Sequence, residues 1–364
     1  MKKKLTVIVG TRPNFIKVTR FKDLADRYPK LDVNIVHTGQ HFDEKMAGVF
    51  FSQLGLKPDH FISLESQSAL SQIGEMIVKL EQLFVKTQPD LVMVVGDVNS
   101  TLAGAIVANK MNITLLHLES GLRSFDEAMP EEWNRVVTDR LSSGMFVTEH
   151  SGVENLLREG RPAEKIYFVG NTMIDSLVKY QKQINSSAIL DALKLEAGQF
   201  ILMTVHRPAT VDSKDGLLML LEVLRALPSK YPVVFPIHPR TRKHLESFGF
   251  ANDFFALGNV KWIDPLDYFS FQKLISNCLV ILTDSGGIQE EATFCGVPCL
   301  TLRENTERPS TIDLGTNVLI PFRADVILDH LESVINGTYK KGAIPPLWDG
   351  HATERILTII SENY

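Results

Sequence analysis

The sequence predicts an α/β protein built from two doubly wound parallel-sheet domains. Short apolar runs rich in β-branched residues alternate with longer amphipathic segments, which is the pattern of βα units on a parallel sheet. At 364 residues with 44% hydrophobic content, the chain is long enough to bury two cores. The runs divide evenly between the two halves, so the two domains should have a similar build.

Twelve apolar runs predict the strands. Those of the first half are residues 5–10, 33–38, 91–96, 113–118, 145–148 and 166–170. Those of the second half are residues 200–205, 233–237, 255–262, 278–283, 298–302 and 317–320. The polar stretch 179–199 lies outside this pattern, so we place the first domain at residues 1–172 and the second at 173–349.

Composition and charge narrow the possible partners. The 38 basic and 43 acidic residues are spread along the chain, so no basic stripe predicts nucleic-acid binding. The apolar run at residues 5–9 is too short for a signal peptide, and no run approaches the roughly 20 residues of a membrane span. We therefore expect a cytoplasmic protein. Its three cysteines form no CxxC pair and should be reduced and buried, and its scattered histidines show no HExxH metal motif.

Polar side chains follow five of the predicted strands, at the point where each strand ends. They are Asp97, Glu119, His206, His238 and the corner Asp284-Ser285-Gly286-Gly287. Each residue alone can instead cap the following helix. Because ligands of open parallel sheets bind at the carboxyl ends of the strands, the five together predict a ligand site.

The first strand end has the chemistry of an anion site. "GTRPNFIK" places Gly10 at a tight turn and Arg12 and Lys17 near the next helix start, where free N–H groups and the helix dipole favour a phosphate. Neither the GxGxxG nor the GxxxxGK[ST] pattern is present, so no dinucleotide fingerprint or P-loop is predicted. A solvated pair of cations is the alternative interpretation.

The corner at residues 284–287 has a similar chemistry. Gly286 and Gly287 let backbone N–H groups approach a ligand, and Ser285 adds a hydroxyl donor. A nucleophile elbow reads GxSxG, but residue 283 is threonine, so Ser285 is predicted to bind an anion and not to attack a substrate. Glu290 and Glu291 either complement the helix dipole or accept the hydroxyls of a ribose.

Acid and base candidates lie mainly in the first half. Asp97, Glu119 and the pair Glu131-Glu132 accompany Arg123 and Arg135, which we assign to substrate binding. Crowded carboxylates raise one another's pKa through like-charge repulsion and desolvation, which makes a carboxyl group useful near neutral pH. From the second half, His206 adds a group that titrates near neutral pH, and Arg303 and Arg308 offer guanidinium forks for a diphosphate.

Ten motifs between residues 10 and 310 resemble those of one enzyme family. They are "GTRPNFIK", "TGQH", "VVGDVNSTLAGA", "HLESGLRS", "MPEEWNR", "VGNTMIDSL", "VHRP", "IDPLDYFSF", "LTDSGGIQEEA" and "ENTERPS". The family is that of the non-hydrolysing UDP-N-acetylglucosamine 2-epimerases. The resemblance implies two Rossmann-like domains in a glycosyltransferase-B arrangement, with the active site in the cleft between them. It also implies a homodimer with neither metal nor nicotinamide cofactor, and a last helix, within residues 350–364, that returns to the first domain.

The same resemblance implies a reaction and residue roles. Similar enzymes interconvert UDP-GlcNAc and UDP-ManNAc for surface polysaccharide by anti elimination of UDP to a 2-acetamidoglucal and re-addition of UDP. The family's catalytic groups fall on Asp97, Glu119, Glu131 and His206. Its binding groups fall on Arg12 and Lys17 near the diphosphate, Ser285, Gly286 and Gly287 on the phosphates, Glu291 on the ribose, Phe271 near the uracil, and Arg308.

Four sites depart from the family's motifs, and the first two indicate a subgroup. Asn14 stands where many members have Glu, Pro208-Ala209 where many have Arg-Glu, and Leu266 where others have a Gln beside the uracil. Phe42-Asp43 replace an Arg and a Gln used by members that UDP-GlcNAc activates.

Three other functions are consistent with the sequence. A 2-epimerase of a modified sugar, such as a UDP-diacetamido-uronic acid, has the same motifs. A glycosyltransferase of the same fold needs an acceptor and does not require three carboxylates in the first domain. A nucleotide-sugar binding protein without turnover fits only if the carboxylates lie too far apart.

Overall fold

The computed structural model describes residues 2–40 and 53–364, and these fall into two compact units. Unit 1 comprises the described residues of Met1–Lys179 and Pro346–Tyr364, and unit 2 comprises Tyr180–Pro345. His41 of the "TGQH" motif and the Phe42-Asp43 departure lie outside the described residues.

Unit 1 contains a parallel sheet of seven strands among its described residues, in the order β3-β2-β1-β4-β5-β6-β7. The strands are Lys3–Val9 (β1), Leu31–His37 (β2), His60–Phe61 (β3), Leu91–Val95 (β4), Thr114–Leu118 (β5), Gly144–Val147 (β6) and Ile166–Phe168 (β7). The helices are Arg12–Ala25, Ala69–Thr87, Asn99–Lys110, Pro130–Leu141, His150–Arg158, Thr172–Lys179 and Ala352–Asn363, with a 3-10 turn at Ala163–Lys165.

Unit 2 repeats this topology with six parallel strands, in the order β10-β9-β8-β11-β12-β13. The strands are Ile201–Thr204 (β8), Val233–Pro236 (β9), Val260–Ile263 (β10), Val280–Thr283 (β11), Cys299–Leu302 (β12) and Asn317–Ile320 (β13). The helices are Gln181–Asn185, Ile189–Leu193, Pro208–Val211, Lys214–Ala226, Pro239–Ser247, Ala251–Phe255, Tyr268–Ile275, Gly286–Cys295, Ser310–Asp313 and Ala324–Ile335. The predicted class of two doubly wound α/β domains is confirmed.

The central strands are apolar throughout because helices cover both faces of each sheet. Every residue of β4 is buried, and so is every residue of β11. Helix Ala69–Thr87 contributes Met76, Leu80 and Phe84, four residues apart on one face, to the core of unit 1.

The strand order reverses once in each unit, and this fixes where a ligand can bind. In unit 1 the chain builds outward from β1 to β3, then crosses to β4 on the other side of β1. In unit 2 the same reversal falls between β8 and β11. In doubly wound sheets the crevice at such a switch point, beside the carboxyl ends of the strands, is where ligands bind.

Two strand predictions differ from the structure. The predicted strand 255–262 begins only at Val260, because Phe255 ends a short helix and the chain then turns, with the Val260 N–H donating to the Leu257 carbonyl at 3.2 Å. The two-residue strand β3 is absent from the prediction because it is too short to show alternation.

The chain leaves unit 1 later than the predicted boundary after residue 172. Helix Thr172–Lys179 lies in unit 1, where the Ser176 and Thr19 hydroxyls are 2.6 Å apart. The end of the chain lies there too, because the Trp348 indole N–H donates to the Thr148 carbonyl at 3.0 Å. Buried Asp175 accepts the N–H groups of Ala352 and Thr353 at the start of the last helix.

Candidate functional site

The ends of β1 and β4 lie close together at the switch point of unit 1. The Asn14 carboxamide oxygen accepts the N–H groups of Gly10 and Thr11, each at 3.2 Å, and its NH2 group donates to the Val95 carbonyl at 3.2 Å. A Cβ on Gly10 would lie 1.9 Å from the Ser100 hydroxyl, so only glycine permits this approach. Asn14, where many family members have Glu, thus joins the two strand ends through both of its polar atoms.

Asp97 and Glu119 follow β4 and β5, which are neighbours in the sheet. Arg135 donates to Asp97 at 2.5 Å, and Lys17 donates to Glu119. A Cβ on Gly96 would lie 3.1 Å from the Glu119 carboxylate and 3.7 Å from the Lys17 ammonium. The structure therefore brings four of the predicted site residues of unit 1 together around Gly96.

Glu119 has a strained backbone. Its φ angle is +70°, in the left-handed backbone region that residues other than glycine rarely adopt. The side chain of Glu119 is buried. Such a conformation costs roughly 1–3 kcal/mol and is found mainly at functional sites. It turns the chain sharply after β5, so that the carboxylate points back to Lys17.

The neighbouring glutamates of helix Pro130–Leu141 have different roles. Glu132 is buried and accepts the N–H groups of Ser124 and Phe125 together with Arg135. Glu131 is half-buried, and its carboxylate makes no hydrogen bond or ion pair with the residues that the structure describes. Glu131 is therefore the member of the pair whose carboxylate is available for proton transfer.

Arg123 lies in a buried polar network with Glu159 and Asp139. Its guanidinium binds both carboxylate oxygens of Glu159 at 2.8 Å and lies 2.7 Å from Asp139. Its assignment to substrate binding stays a prediction, since these protein groups engage it in the structure. Arg12, the first residue of helix Arg12–Ala25, is half-buried at the switch point.

His117 and Asp139 were not predicted as part of this region. The two ring nitrogens of His117 lie 2.7 Å from Asp139 and 2.8 Å from the Gly96 carbonyl. Burial raises the pKa of Asp139, but the charges and hydrogen bonds of His117 and Arg123 outweigh it and bring that pKa below its ordinary value. The pair holds the backbone next to Asp97. Only the position of His117 inside "HLESGLRS" could have indicated it from sequence.

In unit 2, His206 and Asp284 follow the adjacent strands β8 and β11. Asp284 is 1% exposed and accepts the N–H groups of His206 and Arg207 at 2.9 and 2.8 Å. Burial raises the pKa of Asp284, but the hydrogen bonds and charge of His206 outweigh it, so the carboxylate is stabilised in its ionised form. The switch point of unit 2 therefore has a histidine braced by a buried carboxylate.

Ser285 is the N-cap residue that precedes helix Gly286–Cys295, and its N–H donates to the Thr283 hydroxyl at 3.0 Å. The N–H groups of the first helical turn, which include those of Gly286 and Gly287, have no partner within the helix and suit an anion. A Cβ on Gly286 would lie 2.8 Å from Glu307 and 2.9 Å from the Arg308 guanidinium. The predicted phosphate corner is thus adjacent to the loop that contains Arg308.

Three arginines gather beside this corner. Arg308 lies 3.0 Å from Glu290 and also pairs with Glu307, which in turn accepts from Arg303 at 3.1 Å. Burial lowers the pKa of Arg303, Glu307 offsets part of this effect, and Arg207 and Arg308 lower it further. The Nη1 group of Arg303 is buried without a hydrogen-bond partner among the described residues. A buried guanidinium with an unsatisfied N–H group is suited to binding an anion such as a phosphate.

The nucleoside-binding candidates lie on two helices. Glu291 is buried on helix Gly286–Cys295. Phe271 lies on helix Tyr268–Ile275, whose Tyr268 hydroxyl has a pKa raised well above its ordinary value by burial and then by the Glu291 charge. This effect requires the two helices to be close, so Glu291 and the helix of Phe271 belong to one region of unit 2.

The described residues show neither a metal-binding cluster nor a membrane-spanning helix. Across residues 2–40 and 53–364, no group of three or more His, Cys, Asp and Glu side chains is arranged to hold a metal ion. No helix in these ranges combines the length and apolarity that a bilayer crossing requires.

The fold and the strand-end clusters define an α/β protein with two Rossmann-like halves, one rich in paired carboxylates and the other in anion-binding groups. A sequence profile described as UDP-N-acetylglucosamine 2-epimerase matches residues 23–361. The chain therefore belongs to the UDP-N-acetylglucosamine 2-epimerase family, a family of isomerases, and the resemblance of its motifs is confirmed.

Individual relatives match along nearly the whole chain. A UDP-N-acetylglucosamine 2-epimerase of Methanocaldococcus jannaschii is 39% identical over 365 residues, which cover 98% of this chain and 99% of the relative. A UDP-2,3-diacetamido-2,3-dideoxy-D-glucuronate 2-epimerase of Pseudomonas aeruginosa is 38% identical over 339 residues, covering 92% and 93%. The crystal structure of Methanocaldococcus jannaschii UDP-GlcNAc 2-epimerase in complex with UDP-GlcNAc and UDP gives a TM-score of 0.89 at 37% identity, covering 98% and 99%.

Proposed function

We propose that this protein interconverts UDP-N-acetylglucosamine and UDP-N-acetylmannosamine by inverting the sugar at C2. The observation that carries the proposal is the pairing of Asp97 and Glu119 on adjacent strands, each with its own cation. Relatives with this activity in their names match the whole chain, and one was crystallised with UDP-GlcNAc and UDP.

The chemistry explains why both carboxylates and an anion site are needed. The C2 hydrogen has no adjacent carbonyl and is not acidic, so its removal must be coupled to loss of a good leaving group. A carboxylate takes the C2 proton, the C–H pair forms the C1–C2 double bond, and the C1–O pair leaves on the β-phosphate of UDP. UDP then adds back to the resulting 2-acetamidoglucal while a second carboxyl group protonates C2 from the other face.

Asp97, Glu119 and Glu131 are the groups that we assign to proton transfer. Each is a carboxylate in unit 1, and Glu131 has no partner among the described residues. Lys17 pairs with Glu119 and Arg135 with Asp97, so each of these two carboxylates lies against its own cation.

We assign UDP to the residues at the switch point of unit 2, together with Arg12 and Lys17. Ser285, Gly286, Gly287 and Arg308 are assigned to the phosphates, and the buried Arg303 Nη1 group, which has no hydrogen-bond partner among the described residues, supports an anion there. Glu291 is assigned to the ribose and Phe271 to the uracil, because they lie on neighbouring helices of the same unit.

The direct test is hydrogen exchange at C2. The protein is incubated with UDP-GlcNAc in deuterium oxide, and the sugar is followed by NMR. We expect deuterium at C2 and a mixture of gluco and manno epimers. Recovery of unlabelled, unchanged substrate at saturating concentration would contradict the proposal.

A modified sugar is the second candidate substrate, because the Pseudomonas aeruginosa relative is nearly as similar as the one from Methanocaldococcus jannaschii. The two candidates separate when kcat/KM is measured for UDP-GlcNAc and for UDP-2,3-diacetamido-2,3-dideoxy-D-glucuronate. We expect the ratio to favour UDP-GlcNAc; the reverse would assign the protein to the uronate.

We also propose that the enzyme is a cytoplasmic homodimer and that its product supplies surface polysaccharide. An activated sugar nucleotide such as UDP-ManNAc is chemically a glycosyl donor, which supports the second part. Loss of N-acetylmannosamine residues from surface glycans after disruption of the gene is the expected outcome.

A further inference from the structure

A buried carboxylate, Asp284, lies directly behind His206. One of its oxygens accepts the backbone N–H groups of His206 and Arg207 at 2.9 and 2.8 Å. The other lies 3.1 Å from Nδ1 of the His206 ring. Asp284 is 1% exposed, whereas 43% of the His206 side chain is exposed. The carboxylate therefore contacts the inner edge of the ring and fixes the backbone that carries it.

This arrangement assigns the two ring nitrogens different tasks. This second oxygen of Asp284 is buried and has no hydrogen bond of good geometry among the described residues. A carboxylate oxygen is an acceptor only, so the nearby group that can satisfy it is an Nδ1–H on His206. Nε2 is then the nitrogen left for a ligand. The hydrogen-bond partner of one ring nitrogen determines whether the other nitrogen carries a proton in the neutral ring, as in other carboxylate–histidine pairs.

His238 is the other titratable ring beside His206, with its centroid 5.8 Å away. Its Nδ1 accepts the Arg240 N–H at 3.2 Å, so that nitrogen carries no proton. Burial, then the charges of His206 and Arg240, lower the pKa of His238. His238 is thus kept neutral, and His206 is the ring of this pair that lies against the Asp284 carboxylate.

We propose that Asp284 is a positioning residue that orients His206 and stabilises its protonated ring, so that Nε2–H faces the departing diphosphate. The inference rests on the proposed function, because it assigns the positive charge of the His206 ring to the step in which UDP leaves. When the C1–O bond breaks, its electron pair goes to the β-phosphate of UDP, which gains a negative charge. A protonated imidazole at Nε2 offsets that charge, and Asp284 keeps the ring protonated without taking the proton itself.

The first experiment is ¹⁵N NMR of the histidine rings in the wild-type protein, with His206 assigned by its absence from the His206→Asn spectrum. At a pH where the ring is neutral, we expect His206 to carry its proton on Nδ1, which is the minor tautomer of free histidine. A neutral His206 protonated on Nε2 would overturn the inference. This readout needs neither turnover nor a variant of Asp284.

The second experiment replaces Asp284 by Asn. The amide oxygen still accepts the two backbone N–H groups, but its NH2 group faces Nδ1, so the ring should carry its proton on Nε2 and lose its charge. We expect kcat to fall about 10–100-fold while KM for UDP-GlcNAc changes less than about three-fold. Unchanged Nδ1 protonation, or an unchanged kcat, would contradict the role of Asp284.

Asp175→Asn is the matched control. Asp175 is 1% exposed and also accepts two backbone N–H groups, those of Ala352 and Thr353, but its side-chain partner is the Thr353 hydroxyl and not an imidazole. Its change should leave the His206 tautomer as in wild type and kcat within about two-fold. If wild-type protein shows no epimerisation, the proposed function fails, whereas the ring tautomer still decides the Asp284–His206 pairing.

Discussion

Single carboxylates at the ends of β4 and β5 differ in how far solvent reaches them. Asp97 keeps 27% of its side chain exposed beside Arg135, whereas Glu119 is 3% exposed beside Lys17. An exposed carboxylate reaches a ligand without rearrangement of the core. Asp97 is therefore the residue whose loss should separate chemistry from binding most cleanly.

We predict that Asp97→Asn lowers deuterium exchange at C2 by about 100-fold or more, because an amide cannot take a proton. UDP binding, measured by calorimetry, should stay within about three-fold, since Asp97 pairs with Arg135, which is not among the residues assigned to UDP. Asp90→Asn is the control, because Asp90 precedes the same strand at its opposite end and accepts the Lys4 N–H at 2.8 Å. Loss of UDP binding in Asp97→Asn would contradict the role assigned to this residue.

A second residue-level prediction concerns the phosphate corner. In Gly286→Ala the new methyl group would lie 2.8 Å from Glu307 and 2.9 Å from Arg308, so the corner and its arginine must move apart. We expect UDP affinity to fall about ten-fold or more, as measured by calorimetry. Gly258→Ala is the control in the same unit, because no atom lies within 4 Å of its added Cβ. Equal UDP affinity in both variants would exclude the corner as the phosphate site.

The sequence indicated the strand-end residues but not all of their partners. Asp97, Glu119 and His206 could be found because each directly follows an apolar run, and Ser285 because it lies in the four-residue corner that follows another run. The bidentate contact of Arg123 with Glu159 spans 36 positions, and nothing in the sequence couples the two. Long-range side-chain pairing depends on how helices lie on the sheet, and periodicity does not give that information.

Strands and helices were predictable from the sequence where their burial produces a recognisable pattern of apolar residues. Continuous apolar runs identified β4 and β11 because both faces of a central parallel strand are covered. The strand prediction for residues 255–262 was wrong at its start, because aromatic and apolar residues also end the helix Ala251–Phe255. Apolar content alone does not distinguish a strand from a short buried helix followed by a turn.

Helix Ala69–Thr87 is joined to the preceding segment by one carboxylate. Glu75 accepts Lys79 at 2.6 Å and the N–H groups of Glu65 and Ser66 at 3.0 and 2.9 Å. These hydrogen bonds, that of Lys79 first, lower the pKa of Glu75 from 4.5 to about 2. Because the folded-state pKa is the lower one, the stabilisation is present above pH 4.5 and is lost as the pH falls through about 2.

We predict that Glu75→Gln destabilises the protein most above pH 4.5 and that the difference from wild type vanishes near pH 2. Urea midpoints measured across this range test it. Glu81→Gln, an exposed change on the same helix, should show no such pH-dependent difference. A difference that stayed constant with pH would rule out the hydrogen-bonded carboxylate as its cause.

At the scale of the whole molecule, one long helix of the described residues exposes apolar side chains along one of its faces. Leu70, Val78 and Val85 of helix Ala69–Thr87 are 80%, 52% and 63% exposed. Their spacing places them within an arc of about 80° on the helix. We define these three residues as the apolar stripe, and we predict that it forms part of the homodimer contact proposed above.

Light scattering tests this prediction. Wild-type protein should have a mass near twice the 40.8 kDa of one chain, and Val78→Glu should shift it towards a single chain. Leu218→Glu, at a position 47% exposed on a helix of unit 2, should leave the dimer intact. A wild-type mass of one chain at micromolar concentration would contradict the homodimer.

The central claim is that the C1–O bond to UDP breaks and re-forms during each inversion at C2. Positional isotope exchange tests it most directly, using UDP-GlcNAc with ¹⁸O in the oxygen that bridges C1 and the β-phosphate. If UDP is expelled and held, its β-phosphate rotates before re-addition, and the label should appear in non-bridging positions at a rate comparable to epimerisation. Formation of the manno epimer with all of the label still in the bridge would contradict the elimination and re-addition of UDP.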